Sequence, residues 1–205
     1  GKTKALAELA VDTALDFPGT RILMARKDLS DLRTTTMEEF YAAVPPEVLV
    51  SRYNSAPHWC AIRESDWPEG VVSRVFFRDL KEWTGLGSEE YGAAFIDEAG
   101  EVGRQAVLWV LTRLRHKAQT RRFLVAASNP WPGWFEDWFV KGNIDKEALK
   151  LAGGRIHFVP AKIPDNPHLP ENYEDTLRAL LPSDWVDRFV EGRFDAFVGQ
   201  VYTDF

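Results

Sequence analysis

"YGAAFIDEAGEV", residues 91–102, decides how the rest of the chain is read. Ala93 to Ile96 form a short, continuous apolar run with no polar alternation, the pattern of a strand buried on both faces. Such strands take parallel neighbours and deliver polar groups to the carboxyl edge of the sheet. Asp97 and Glu98 stand at that edge. Two adjacent carboxylates there suit two tasks: Asp97 to support the shell of a magnesium ion, and Glu98, pointing differently, to polarise an attacking water. A competing reading is that both acids cap the helix that follows and complement its dipole.

Working outward, "RQAVLWVLTRLR" (104–115) has a helical pattern, and "RRFLVAASNP" (121–130) is a second buried strand that closes on Ser128 and Asn129. Short polar side chains at a central strand tip can hydrogen-bond a water or a terminal phosphate and change partner when that phosphate leaves. An Asn-Pro turn alone would also account for them. Upstream, "GVVSRVFFRDL" (70–80) and "TRILMAR" (20–26) read as strands. Residues 2–16 carry Leu6, Leu9, Ala10, Thr13 and Ala14 at helical spacing before "FPGT" stops the helix. Residues 30–44 form the next helix, with Asp28 or Ser30 as N-cap and an end at Pro45 and Pro46. The stretch 47–70, with Pro57, Trp59, Trp67 and Pro68, reads as irregular. "GGRIHFVPA" (153–161) is expected as a last strand, and 171–194 as two short helices broken at Pro182. Strands alternating with helices predict an α/β fold built on a parallel sheet.

The chain opens on Gly1, Lys2 and Thr3, the last three letters of the phosphate-binding loop G-x-x-x-x-G-K-[ST]. At the start of an amphipathic helix they put backbone N–H groups and the positive helix end where phosphate oxygens would sit. Gly1 would belong to that cradle, Lys2 would reach the β- and γ-phosphates, and Thr3 would offer its hydroxyl to Mg²⁺. Gly-Lys-Thr alone is common by chance, but joined to the Asp97–Glu98 pair it becomes specific. The expectation is a P-loop nucleoside triphosphatase of the ASCE, RecA-like type, with ATP and Mg²⁺ as cofactors. Residues 1–160 would be the core, lacking its first strand, and 161–205 a C-terminal helical subdomain and linker.

Phosphoryl transfer gains from a cation that meets the developing charge, often supplied by a neighbouring subunit. Arg113 and Arg115 are the candidates for that catalytic role, with Arg26, Arg33, Arg121 and Arg122 behind them. The net charge of −6 rules out a molecule that is basic all over, so a DNA contact must be local. The basic run "TRLRHKAQTRR" (112–122) could supply one, or could be solvated helix-end charge. The single cysteine, Cys60, excludes an internal disulfide framework and reads as a bystander rather than a catalytic thiol. His58, His116, His157 and His168 lack ligand spacing. Trp109, Trp131, Trp134 and Trp138 read as packing residues in preference to base-stacking platforms.

In these stretches the chain resembles the large terminase subunit of tailed bacteriophages: "GKT" at 1–3, "FIDEAGEV" at 95–102 followed by "LTRLR", "AASNP" at 126–130, and the tail from "IPDNP" at 163 to "GQVYTDF" at 205. The resemblance implies an ATP-driven motor that moves double-stranded DNA into a procapsid. It implies that Lys2 and Thr3 end the phosphate loop, that Asp97 is the magnesium-associated acid and Glu98 the catalytic glutamate, and that Ser128 and Asn129 couple hydrolysis to movement. It also implies a homo-oligomeric ring on the portal protein, a small terminase subunit as partner, action in the host cytoplasm without a membrane, and a nuclease domain that this chain does not contain. Two other readings stand beside it. One is a helicase-like, DNA-dependent P-loop ATPase, and the other is a binding remnant that turns over no nucleotide.

Overall fold

The computed structural model describes residues 1–151 and 153–193. By its internal contacts the chain divides into two compact units, Gly1–Ser128 and Asn129–Phe205, so residues 129–160 group with the C-terminal part. The first unit holds a six-stranded sheet in the order β2-β3-β4-β1-β5-β6. Its strands are β1 (Arg21–Arg26), β2 (Leu49–Tyr53), β3 (Trp59–Ile62), β4 (Ser73–Asp79), β5 (Ala93–Ile96) and β6 (Phe123–Ala126). The expected α/β fold is present.

The sheet is mixed, which corrects the expectation of an all-parallel one. The β4-β1-β5-β6 pairings are parallel, whereas β2-β3 and β3-β4 are antiparallel. Parallel neighbours need a crossover of about a dozen residues or more. Only residues 54–58 separate β2 from β3, so that pair has to fold back on itself. Both of these strands lie in the stretch read as irregular; β3 is four residues long, between two prolines.

One face of the sheet carries Ile22, Met24, Val75, Phe77, Phe95, Cys60 and Ile62 into a single core. Helix α1 (Lys2–Asp16) closes that core with Leu6, Ala7, Ala10, Val11 and Ala14. The second helical segment covers it too: α2 (Leu29–Asp31), a π-helical turn over Leu32–Thr36, and α3 (Met37–Ala43). Asp28 occupies its N-cap position, as one of the two expected candidates, although its side chain makes no capping bond. Phe40 of α3 meets Phe77 edge to face, with ring centroids 5.2 Å apart. Burial pushes the Cys60 thiol up to about 12, which keeps it protonated and unreactive.

A close approach fixes the entry to β5. A Cβ on Gly92 would lie 2.2 Å from Gln119 Oε1 and 2.5 Å from Thr20 Oγ1, and these two buried groups are hydrogen-bonded to each other at 2.8 Å. Gly92→Ala is therefore expected to cost about 1–3 kcal/mol from overpacking, and more if the Thr20–Gln119 bond breaks. Urea unfolding checks it, and a loss below half a kcal/mol would show that the pocket yields.

Helix α4 (Arg104–Arg113) buries Ala106, Val107 and Val110 and ends two residues short of the expected 104–115 span. The second unit holds α5 (Trp134–Phe139), α6 (Lys146–Leu151), α7 (Tyr173–Leu180) and α8 (Ser183–Phe189). The last two are the expected pair, separated at Pro182. The expected strand at 153–161 is absent. Gly153 and Gly154 both take positive φ, and Phe158 and Val159 are exposed, so β-propensity there finds no partner edge and no face to bury. Trp138 is buried against Trp134 and donates its indole N–H to Asp145 at 2.9 Å, which makes it a packing residue. Lys162 N–H donates to the Asp165 carboxylate and closes the Asp-Asn-Pro turn. The "GQVYTDF" end of the tail, residues 199–205, lies outside the described residues. Among the described residues no helix is long and apolar enough to cross a membrane.

Candidate nucleotide site

The site stands at the carboxyl ends of β1, β5 and β6. Four buried residues of β5 end at Ile96, and Asp97 continues the ladder by donating its N–H to Ala25 O at 2.9 Å. Its carboxylate is turned inward, and the residue is 1% exposed. A buried carboxylate requires hydrogen-bond donors. Thr3 Oγ1, in the first turn of α1, lies 3.3 Å from Asp97 Oδ1 and 3.2 Å from Oδ2. Thr36 Oγ1 donates to Oδ2 at 2.8 Å. Thr3 and Asp97, 94 residues apart, therefore meet at one sheet edge.

Glu98 is the one non-glycine residue with positive φ among the described residues, at φ 47° and ψ 47°. The left-handed region costs an L residue roughly 1–2 kcal/mol, so surrounding contacts must hold it. Ala99 N–H donates to Ala127 O at 2.9 Å, and Gly100 N–H donates to Ser128 Oγ at 3.0 Å. Both acceptors belong to the segment that leaves β6. Ser128 thus fastens the turn that carries Glu98, while Asn129 opens the second unit. The capping alternative for the acid pair is set aside: Gly103 precedes α4, and Glu98 makes no side-chain capping bond to the 3₁₀ turn Ala99–Glu101.

Gly1 is the N-cap of α1 and Lys2 its first residue, immediately before Thr3, and Gly1 O accepts the Ala5 N–H at 3.1 Å. The arginines lie elsewhere in the unit. The Arg113 guanidinium lies 4.1 Å from the Trp109 ring centroid and its carbonyl accepts the Tyr91 N–H, while Arg115 pairs with Glu90 at 3.1 Å. Both therefore sit beside the start of β5. The six-residue advance from Tyr91 to Asp97 separates them from the acids by about 20 Å along the strand. Within one chain they do not join the site.

The donor set fits a magnesium ion. Mg²⁺ prefers oxygen ligands, keeps several waters, and is held by one or two protein groups together with substrate phosphates. Thr3 and Asp97 supply a hydroxyl and a carboxylate in contact. Among the described residues no group of three or more His, Cys, Asp or Glu could hold a metal, so these residues offer no all-protein cage. Sequence reasoning missed Thr36, although its position gave a signal: Leu32, Thr36 and Phe40 recur every four residues along a buried stripe, and a hydroxyl there needs a partner.

Solved structures share this architecture. The large terminase of a thermophilic bacteriophage matches with a TM-score of 0.74 at 16% identity, covering 95% of this chain and 46% of that one. The same terminase in complex with ATP-gamma-S also gives 0.74 at 16% identity, covering 95% and 45%. The large terminase ATPase domain of Thermus phage P74-26 gives 0.57 at 13% identity, covering 95% and 84%. The chain thus spans about half the length of the first of these terminases. No curated protein matches it. The family model described as "Terminase large subunit, T4likevirus-type, N-terminal" matches residues 1–203, nearly the whole chain, and the chain belongs to that family.

Proposed function

We propose that this chain is the ATPase motor domain of a phage terminase large subunit, coupling hydrolysis of Mg²⁺-ATP to translocation of double-stranded DNA into a procapsid. The observation that carries the reading is the hydrogen-bonded meeting of Thr3 with Asp97 at the carboxyl edge of the sheet, at the N-terminus of a 15-residue helix. That helix end favours phosphate, Lys2 supplies a positive charge beside it, and Gly1 leaves room for the backbone to approach. Mg²⁺ supplies charge neutralisation of the phosphates, with Thr3 and Asp97 as the residues that hold it. Glu98 accepts a proton from, or orients, the attacking water. Ser128 bonds the turn that bears Glu98, so a change at the end of β6 is felt at the catalytic acid, and Asn129 carries it into the second unit.

The positive group that meets the transition state comes from a neighbouring subunit in a ring, with Arg113 and Arg115 as the residues offered, because neither reaches the acids of its own chain. DNA, the portal protein and the small terminase subunit are the partners of the assembled motor, working in the host cytoplasm. The reading is tested with the full gene product, double-stranded DNA and Mg²⁺-ATP. Hydrolysis is expected, and Lys2→Ala is expected to lower it roughly 100-fold or more. A folded, full gene product that hydrolyses no ATP in the presence of DNA would remove the motor assignment.

A further inference from the structure

Two threonines contact Asp97, and they are not equivalent. Thr3 is part-exposed, and its hydroxyl is shared between both carboxylate oxygens at 3.3 and 3.2 Å. One O–H proton can serve only one of them. Thr36 is fully buried, and its 2.8 Å bond to Oδ2 has the length of an ordinary hydroxyl–carboxylate hydrogen bond.

The local backbone explains how Thr36 reaches the acid. Inside helices a threonine hydroxyl usually bonds back to the carbonyl four residues earlier. Thr34 and Thr35 do so, to Ser30 O at 3.1 Å and to Asp31 O at 2.6 Å. Thr36 does not; it ends the π-helical turn, where Met37 N–H reaches back five residues to Leu32 O. A π turn inserts one residue into the helical frame and is frequent at functional sites. Here Leu32, Met37 and Phe40 all stay in the core while Thr36 is aimed at the end of β5. The turn is also tied to the tip of β1, because Arg26 Nη1 donates to Thr35 Oγ1 at 2.7 Å.

We propose that Thr36 is the positioning residue of Asp97: it holds Oδ2, so the carboxylate keeps its orientation when the Thr3 hydroxyl turns from the acid to a bound cation. The inference rests on the nucleotide-site reading above and adds to it a residue from an element outside the phosphate loop and the acid strand. Oδ1 keeps its remaining acceptor capacity for the cation's water shell, while Oδ2 is occupied by the protein. Groups that orient a metal-binding residue from behind are worth about 10–100-fold in metal affinity.

The experiment is ADP binding by the full gene product, titrated with Mg²⁺, for the wild type, Thr36→Val and Thr36→Ser. Thr36→Val keeps the shape and removes the donor, and is expected to raise the Mg²⁺ concentration for half-maximal ADP binding about 10–100-fold. ADP binding without Mg²⁺ is expected to be unchanged. Thr36→Ser keeps the donor and is expected to titrate like the wild type. If Thr36→Val does not fold, Thr36→Cys replaces it, since a thiol is a weak donor of similar size. A valine or cysteine variant with wild-type Mg²⁺ dependence overturns the proposal and leaves the nucleotide site standing. Serine as impaired as valine also overturns it, because the methyl and not the hydroxyl would then matter. A wild type that shows no Mg²⁺-dependent ADP binding overturns the nucleotide-site reading itself.

Discussion

In the full gene product, Glu98→Gln is expected to lower the rate of ATP hydrolysis about 10²–10⁴-fold, the usual share of a general base, and to leave nucleotide affinity nearly unchanged. Glutamine matches glutamate in size and can hold the same left-handed backbone with its Ala127 and Ser128 tethers. What it lacks is the basicity to take a proton from water. Asp97→Asn should behave differently. That residue is buried and bonded to Thr3 and Thr36, so its change disturbs Mg²⁺ binding, and KM rises together with the loss of kcat. Steady-state rates and Mg²⁺-dependent ADP binding, measured on both variants, separate the two roles. Turnover that survives Glu98→Gln at the wild-type rate would strip Glu98 of its assignment.

Phe77→Ala is expected to destabilise the first unit by about 3–5 kcal/mol, the range for emptying a large aromatic site in a core. Phe77 is 1% exposed in β4, packs edge to face on Phe40, and lies tilted to Tyr41 at 5.8 Å. It joins the sheet to the helical segment that carries Thr36, so the site should loosen along with the core. Val50→Ala, on exposed β2, is the control and is expected to stay within about 0.5 kcal/mol of the wild type. Urea unfolding of both variants decides the point. A loss below 1 kcal/mol for Phe77→Ala would mean that α3 is not seated on β4 as described.

The parts of the fold legible in the sequence were those with a long-range signature. The continuous apolar run at β5 demanded burial on both faces, and the acids after it could then stand only at the sheet edge. Helix α1 showed its buried side through Leu6, Ala10 and Ala14. What escaped were features decided by partners rather than by periodicity. β3 is four residues long and is made a strand by its two neighbours, Tyr53 pairing with Trp59 on one side and Phe76 with Trp59 on the other. The run at 153–161 has the composition of a strand and lacks the neighbour. The meeting of Thr3 with Asp97 followed from motif order, but three threonines in a row hid which of them the acid would use. The π turn decides it, and a one-residue shift of helical frame leaves no mark on composition.

Position 98 also sets stability against work. Glycine or asparagine there would relieve the left-handed backbone by roughly 1 kcal/mol, and either would remove the carboxylate. A laboratory population selected only for resistance to heat should therefore drift away from glutamate at this point and arrive at a sturdier, idle protein. On the proposed reading, the glutamate at position 98 serves the attacking water in a place where folding alone would choose another residue.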